Sequence, residues 1–568
     1  MITGIAIENF KGIRDRIELE LKPITLLFGP NSAGKSTVLQ ALHYAAEIFD
    51  RLNTDADQTV SGGEFVNLGG FRNLAHAHNL EETVRLRVEL SEVNFEGDWG
   101  EGLLEEHFGL PENLAVEIGV RWDDVRSLAY VETYELYLNG MFFAEVKFDP
   151  NESKPWISRL NVGVDYTCLL AIGEFKSDEE CEEMVARGMD VYESALSFYR
   201  RNTIEFFQTI AEPGPESDTQ VSFRLLLQDQ PSALPRPGGQ FKLAYKHGYA
   251  PSGFGFLSDM DFDFFGYDSE PDDQKRRQFR RREMGHEFAH FISRVLTIPI
   301  DLVREQLRAF RYLGPIRILP PRNFVPQKSS RHSKGLDREH WSSGLGAWHA
   351  LYRQHNSLIP QVNRWLADKE RLDSGYRIRR KDFKELELSD PAVATLLSGQ
   401  KLNDDMRLDL ESLATKSRLV VIPTATDIEL QPADIGIGIS QVVPVVVTAM
   451  DGANKLSAIE QPELHLHPRI QAELGDLFIE GAKSSGGQFL IETHSEHLIL
   501  RLLRRIRETE KGTADAEQQL RTDDLAVNYV RQKDGCCQVT QIDVDVKGEF
   551  IQPWPDDFFE IDFYERFG

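Results

Sequence analysis

Only four cysteines occur in 568 residues, Cys168, Cys181, Cys536 and Cys537, and the last two are neighbours. That set builds neither a disulfide framework nor a two-plus-two zinc spacing, so a reducing, cytoplasmic setting is expected. Long apolar runs are missing too. None approaches the roughly 18 residues needed to cross a bilayer, and the opening "MITGIAIENFKGI" lacks the basic-then-apolar layout of a secretory leader. No membrane partner is expected. Positive charge is scarce: 64 Lys and Arg stand against 91 Asp and Glu, a net charge of −27. A uniformly basic surface that coats nucleic acid is therefore excluded, and any DNA or RNA contact must be local.

What is present divides the chain by texture. "ITGIAIENF" and "IELELKPITLLFG" alternate or run apolar as strands do, and "STVLQALHYAAEIF" follows at helical spacing. From about 82 to 150, short strand-like runs such as "TVRLRVELSEV" and "YVETYELYLNG" predict an antiparallel sheet beside this first unit. Residues 177–211 and 270–311 read as helical, and 212–270 as loops with a few strands. "GLGAWHALYRQHNSLIPQVNRWLADKERL" has helical periodicity. From about 418, strands and helices alternate from "RLVVIPT" to "LAVNYVRQK", which predicts a parallel sheet completed by the last segment.

The strongest local signal is "GPNSAGKS", Gly29 to Ser36, between a predicted strand and a predicted helix. It fits the phosphate-loop pattern G-x-x-x-x-G-K-[ST]. Its glycines let backbone N–H groups curl around phosphates, and the helix N-terminus adds partial positive charge. Gly29, Asn31, Ser32, Ala33, Gly34, Lys35, Ser36 and Thr37 are the candidate nucleotide contacts, with Lys35 bridging the terminal phosphates and Ser36 binding Mg²⁺.

The companions of that loop resemble a known group. "IENFKGIRD…ITLLFGPNSAGKSTVLQAL" is similar to the start of ABC-type ATPases of the SMC, RecF and OLD (overcoming lysogenisation defect) kind. "IEQPELHLHP" and "FLIETHSEHLILRL" resemble the Walker B, D-loop and switch-histidine segments of bacterial OLD-like AAA ATPases, many of them linked to phage defence. "RYLGPIRILPPR" and "WPDDFFEIDFYERF" resemble a subgroup whose C-terminal domain has no assigned function. The resemblance implies ATP and Mg²⁺ as cofactors, Glu460 as a metal ligand with Ser36, and Gln461 at the position of the water-activating carboxylate. It implies that His494 is the switch histidine; Glu463, two residues after Gln461, is the alternative source of the missing carboxylate, although the D-loop expected there favours Gln461. Gly438, Ser440 and Gln441, in "DIGIGISQVVP", would take the signature role and complete the site of the opposite subunit.

Weaker patterns have plainer readings. His465 and His467 invite a metal reading, yet the resemblance places them in a D-loop, and His76 and His78 read as loop histidines. "KRRQFRRR", 275–282, is the densest basic run, and Phe279 within it suits base stacking; a solvated helix face fits equally well. Asp543 and Asp545 form a D-x-D like that of Toprim nucleases, but only 74 residues follow His494, too few for that domain.

The sequence therefore predicts an α/β fold: an ABC-type P-loop NTPase head with an antiparallel β subdomain and a large, mainly helical insertion. Expected boundaries are 1–165 and 416–568 for the two lobes of the head, 166–310 for a helical insertion and 311–415 for a helical arm. The expected function is a slow ATPase that forms a homodimer, or a higher even-numbered oligomer, around two ATPs and controls a separate nuclease or toxin in antiphage defence. A DNA-repair clamp of the RecF or SMC kind, or an ATP-bound scaffold without turnover, shares the same motifs.

Overall fold

The computed structural model describes residues 1–91, 112–152, 154–161, 220–221, 225–227, 232–235, 243–244, 295–322, 324, 340–451 and 455–555. The helices expected over 177–211 and over most of 270–311, and the basic run 275–282, lie outside the described residues; 295–309 is helical as expected.

Two sheets organise the molecule. The first has ten strands, all paired antiparallel, and is built mainly from Ile2–Glu8, Ile17–Glu20, Val84–Ser91, Asn113–Asp123, Leu128–Leu138, Met141–Lys147 and Trp156–Asn161. Its inner face follows from alternation in sequence: Val84, Leu86, Val88 and Leu90 are buried while the residues between them are half-exposed. The outer face carries Arg and Glu in cross-strand register, Arg87 opposite Glu117 and Glu117 opposite Glu135.

The second sheet is ordered Arg311–Leu313, Leu456–Glu460, Gln488–Glu492, Ile24–Phe28, Leu525–Lys533, Cys536–Gln541, and its first five strands run parallel. Alternate residues feed two cores. Leu27, Leu456, Ala458, Leu490 and Tyr312 face one, shared with the helix Lys35–Arg51 and the antiparallel sheet. Ile24, Leu26, Phe28, Ile459, Phe489 and Ile491 face the other, closed by the helices Ile437–Met450, Pro468–Ser485 and Glu496–Glu510. Burial on both faces explains why "ITLLF" is apolar at every position but one. The N-terminal strand Ile24–Phe28 thus sits between two strands from the far end of the chain.

Two placements depart from the sequence reading. "RLVVIPT" was expected in the parallel sheet, but Lys416–Pro423 pairs antiparallel with Tyr376–Phe383 in a separate two-stranded sheet. The place beside Leu456–Glu460 is filled instead by Arg311–Leu313, at the start of the stretch expected to be a helical arm. Apolar content marks a strand as buried; it does not name the neighbour. The final strand is antiparallel because Asp534 and Gly535, both at positive φ, turn the chain back in a two-residue hairpin.

Candidate nucleotide site

Parallel strands bring their C-terminal ends to one edge, and in open α/β sheets that edge is where ligands bind. Here it gathers the loop after Phe28, Glu460 and Glu492, which are register partners, and the segment after Leu313.

Gly29 and Gly34 have φ of 144° and 105°, and a Cβ on Gly29 would lie 2.0 Å from the Val530 carbonyl oxygen. Only glycine allows the loop to pass the neighbouring strand so closely. The helix Lys35–Arg51 starts directly after Gly34 with no side-chain cap, so its first-turn N–H groups are available to an anion. The Lys35 ammonium is buried and donates to the carbonyls of Gly29 (2.9 Å) and Pro30 (3.0 Å), with a Glu492 oxygen at 3.9 Å. The Ser36 hydroxyl donates to Glu492 Oε2 at 2.9 Å. Asn31, Ser32, Ala33 and Thr37 complete the loop and first turn, Ser32 at φ 62°.

Glu460 ends its strand and accepts from the Tyr312 hydroxyl at 2.8 Å. Gln461 follows at φ 44°, its N–H donating to the Glu492 carbonyl at 2.7 Å; its side-chain amide makes no hydrogen bond among the described residues. Glu463 accepts from the Thr493 hydroxyl and the His494 N–H, both at 2.8 Å, so that both its oxygens hold the turn at 493–494. The buried Nε2 of His494 has no partner. An uncapped helix start, a buried ammonium satisfied only by carbonyls, an idle imidazole nitrogen and paired carboxylates beside a serine hydroxyl together fit a nucleotide phosphate with its divalent cation. Lys35, Ser36, Glu460 and His494 are the residues that would hold it.

Sequence reasoning singled out Glu460, Gln461, Glu463 and His494, and the fold brings them together with the phosphate loop. It missed Glu492, Tyr312, Thr493 and Arg317. The signature candidates lie on the helix Ile437–Met450, where the Ser440 hydroxyl donates to its own Ile437 carbonyl at 2.6 Å. The Gln441 amide is taken up by the backbone of Arg317, while Gly438 lies at the helix's first turn beside Ile437, which is 62% exposed. The histidine pairs 76/78 and 465/467 form no metal-holding group among the described residues. His76 and His78 each bond a different backbone carbonyl, and His467 caps a helix by accepting from Arg469 N–H. Among the described residues no group of three His, Cys, Asp or Glu side chains is poised to hold a metal ion. Asp545 receives the N–H groups of Lys547 and Glu549 in a local turn, and Cys536 and Cys537 are buried free thiols.

Burial dominates the electrostatics. It pushes Glu460 up to about 7, helped by the neighbouring charge of Glu492 and opposed by Tyr312, Arg317 and Lys35. It also raises Glu463 and Glu492 and lowers Lys35 and His494. Binding that needs Glu460 ionised should therefore release a proton near neutrality. Affinity for Mg²⁺-nucleotide is expected to rise about tenfold per pH unit up to about 7 and then level off. In the free protein the sign is opposite: a carboxyl raised from 4.5 contributes stability fully below 4.5 and loses it as pH rises through about 7. Calorimetry in two buffers of different ionisation enthalpy measures the proton release, and Glu460→Gln should abolish it; an unchanged release in that variant would remove Glu460 from the binding event.

A family model described as AAA ATPase domain matches residues 1–92 and 362–499. A 46-residue stretch is 44% identical to the DNA replication and repair protein RecF of Roseiflexus castenholzii, covering 8% of this chain; the chain spans about a tenth (11%) of that protein's length. Solved structures that align along the chain include the SMC head domain from Thermotoga maritima (10% identity, 96% of this chain and 99% of that one, TM-score 0.33). The Smc head domain with a coiled coil and joint from Pyrococcus yayanosii aligns at 10% identity over 100% and 99%, with a TM-score of 0.36. The matched segments hold the phosphate loop, Glu460 and His494, and they meet at the edge of one parallel sheet, so the two stretches similar to an AAA ATPase domain are split in sequence and joined in space.

Proposed function

We propose that the chain is an Mg²⁺-dependent ATPase of the ABC type that dimerises around two ATPs, turns over slowly and licenses a separate effector. The observation that carries the chemistry is the convergence of Lys35, Ser36, Glu460, Glu492 and His494 on the carboxyl edge of the sheet. Gln461 stands where a carboxylate is expected. Its amide can orient water, as glutamines do in GTPases, but cannot take a proton from it, and that favours slow hydrolysis. Among the described residues no side chain caps the helix Ile437–Met450, and Ile437 at its start is exposed. That free N-terminus suits the phosphates of a second copy. Dimerisation on nucleotide follows, with Gly438 and Ser440 at the junction. An antiviral setting, and a nuclease or toxin as the effector, rest on the resemblance of the motifs alone.

The dimer is tested by light scattering. With Mg²⁺ and ATP the mass should double, and Ile437→Arg, at an exposed position, should keep its melting temperature but stay monomeric. An unchanged mass in the wild type would reject the sandwich. A DNA clamp is the second reading, favoured by the short identity with RecF. It requires ATP-strengthened DNA binding whose affinity falls steeply with salt.

A further inference from the structure

Arg317 is 2% exposed, and among the described residues its guanidinium pairs with no carboxylate. It donates instead to two consecutive carbonyls at the end of the Walker-type strand, Glu460 at 2.6 Å and Gln461 at 3.4 Å. Its Nε–H has no partner. Glu463 and Glu460 attract the guanidinium through space without a direct ion pair, and a buried cation held by carbonyls is costly where an apolar side chain of similar size would pack more cheaply. The backbone of the same residue is gripped from the other side: its N–H donates to Gln441 Oε1 at 3.3 Å and its carbonyl accepts from Gln441 Nε2 at 2.9 Å. Pro444 and Arg317 both crowd Gly344, where the chain turns at φ 80°. One residue therefore ties the helix Ile437–Met450 to the peptide that carries Gln461.

We infer that Arg317 is a positioning residue that couples the start of this helix, where a second copy would engage, to the orientation of Gln461. The Gln461 peptide is held at φ 44° by three contacts: its N–H to the Glu492 carbonyl, its carbonyl to Leu464 N–H at 3.2 Å, and the Arg317 fork. Only the last of these reaches the helix. Displacement of Gln441 moves the Arg317 backbone, and the guanidinium moves the Gln461 carbonyl with it. The water-orienting amide is then set correctly only when the helix is seated. Its turnover arm rests on the ATPase reading above; its structural arm does not.

The test uses the full chain as wild type, Arg317→Lys, Arg317→Met, Gln441→Leu and the Arg317→Met/Gln441→Leu double variant. Steady-state kinetics should show kcat falling at least about tenfold in each single variant at nearly constant KM and fluorescent-ATP affinity. The double variant should be no worse than the poorer single one, and Arg317→Lys should recover part of the loss. Amide hydrogen exchange at 461–466 should accelerate in Gln441→Leu, although the Gln441 side chain hydrogen-bonds only the Arg317 backbone among the described residues. Unchanged exchange there overturns the coupling whether or not the wild type hydrolyses ATP. Absent wild-type turnover with accelerated exchange overturns the ATPase reading and leaves the coupling standing. Additive losses in the double variant, or a matching loss of ATP affinity, reduce Arg317 to a structural role and overturn the inference.

Discussion

Lys35→Ala should lower ATP affinity by at least about 30-fold and remove measurable turnover, while leaving the free protein as stable as before. The ammonium is buried and satisfied only by the Gly29 and Pro30 carbonyls, with Glu492 at the edge of ion-pair distance. Burial lowers its pKa, so the fold is under tension with the charge it carries. Phosphate is the partner that relieves this tension, and losing one member of a buried charge pair costs about 2–5 kcal/mol, which is a factor of about 30 to several thousand. In the free protein the same deletion also removes a desolvated charge, so the melting temperature should stay within a few degrees of wild type. The upward shift that ATP gives the wild type should vanish. Thermal melts with and without ATP report both effects. A variant that melts like the wild type and is still stabilised by ATP would show that the loop is not the nucleotide site.

Hydrolysis is expected to accelerate at least about tenfold in Gln461→Glu and to fall about tenfold in Gln461→Ala, since a positioned general base contributes about 10² to 10⁴ in rate. Among the described residues the side chain at 461 makes no hydrogen bond, and its backbone is fixed at φ 44°, so either substitution changes the chemistry presented without changing the turn. Glu463 is the competing carboxylate, but both its oxygens are occupied by Thr493 and His494 N–H. Glu463→Ala should therefore disturb His494 and weaken ATP binding together with turnover, whereas the Gln461 variants should alter kcat alone. A fast wild type indifferent to Gln461→Ala, with turnover abolished selectively in Glu463→Ala, would exchange the two roles.

The phosphate loop and the Walker-type strand were legible in the sequence because their chemistry is local: eight consecutive residues make the loop, and Glu460 ends an apolar run. The antiparallel sheet was legible because its strands alternate with period two. What remained hidden is what distant segments contribute. Tyr312 reaches Glu460 across 148 residues, and Arg317 reaches it across 143. Glu492 was in view as part of "ETHSEH", and its signal was positional: it ends the next apolar strand, as Glu460 ends its own. The pair Tyr376–Phe383 and Lys416–Pro423 escaped for another reason. Ile378 is the only fully buried residue in the former, so the strand carries almost no apolar pattern.

The position of Ile24–Phe28 between Gln488–Glu492 and Leu525–Lys533 has a consequence for synthesis on the ribosome. The strand that leads into the phosphate loop is made well before both its neighbours, which follow about 460 and 500 residues later. At about 5–20 residues per second, the loop waits on the order of half a minute to a minute and a half before its sheet can close. Until then "ITLLF" is an apolar segment with both edges open, and a nascent chain has no assembled pocket for ATP. A chain stopped before Leu525 would lack a neighbour of the central strand, so ATP binding is expected only after that strand has been made.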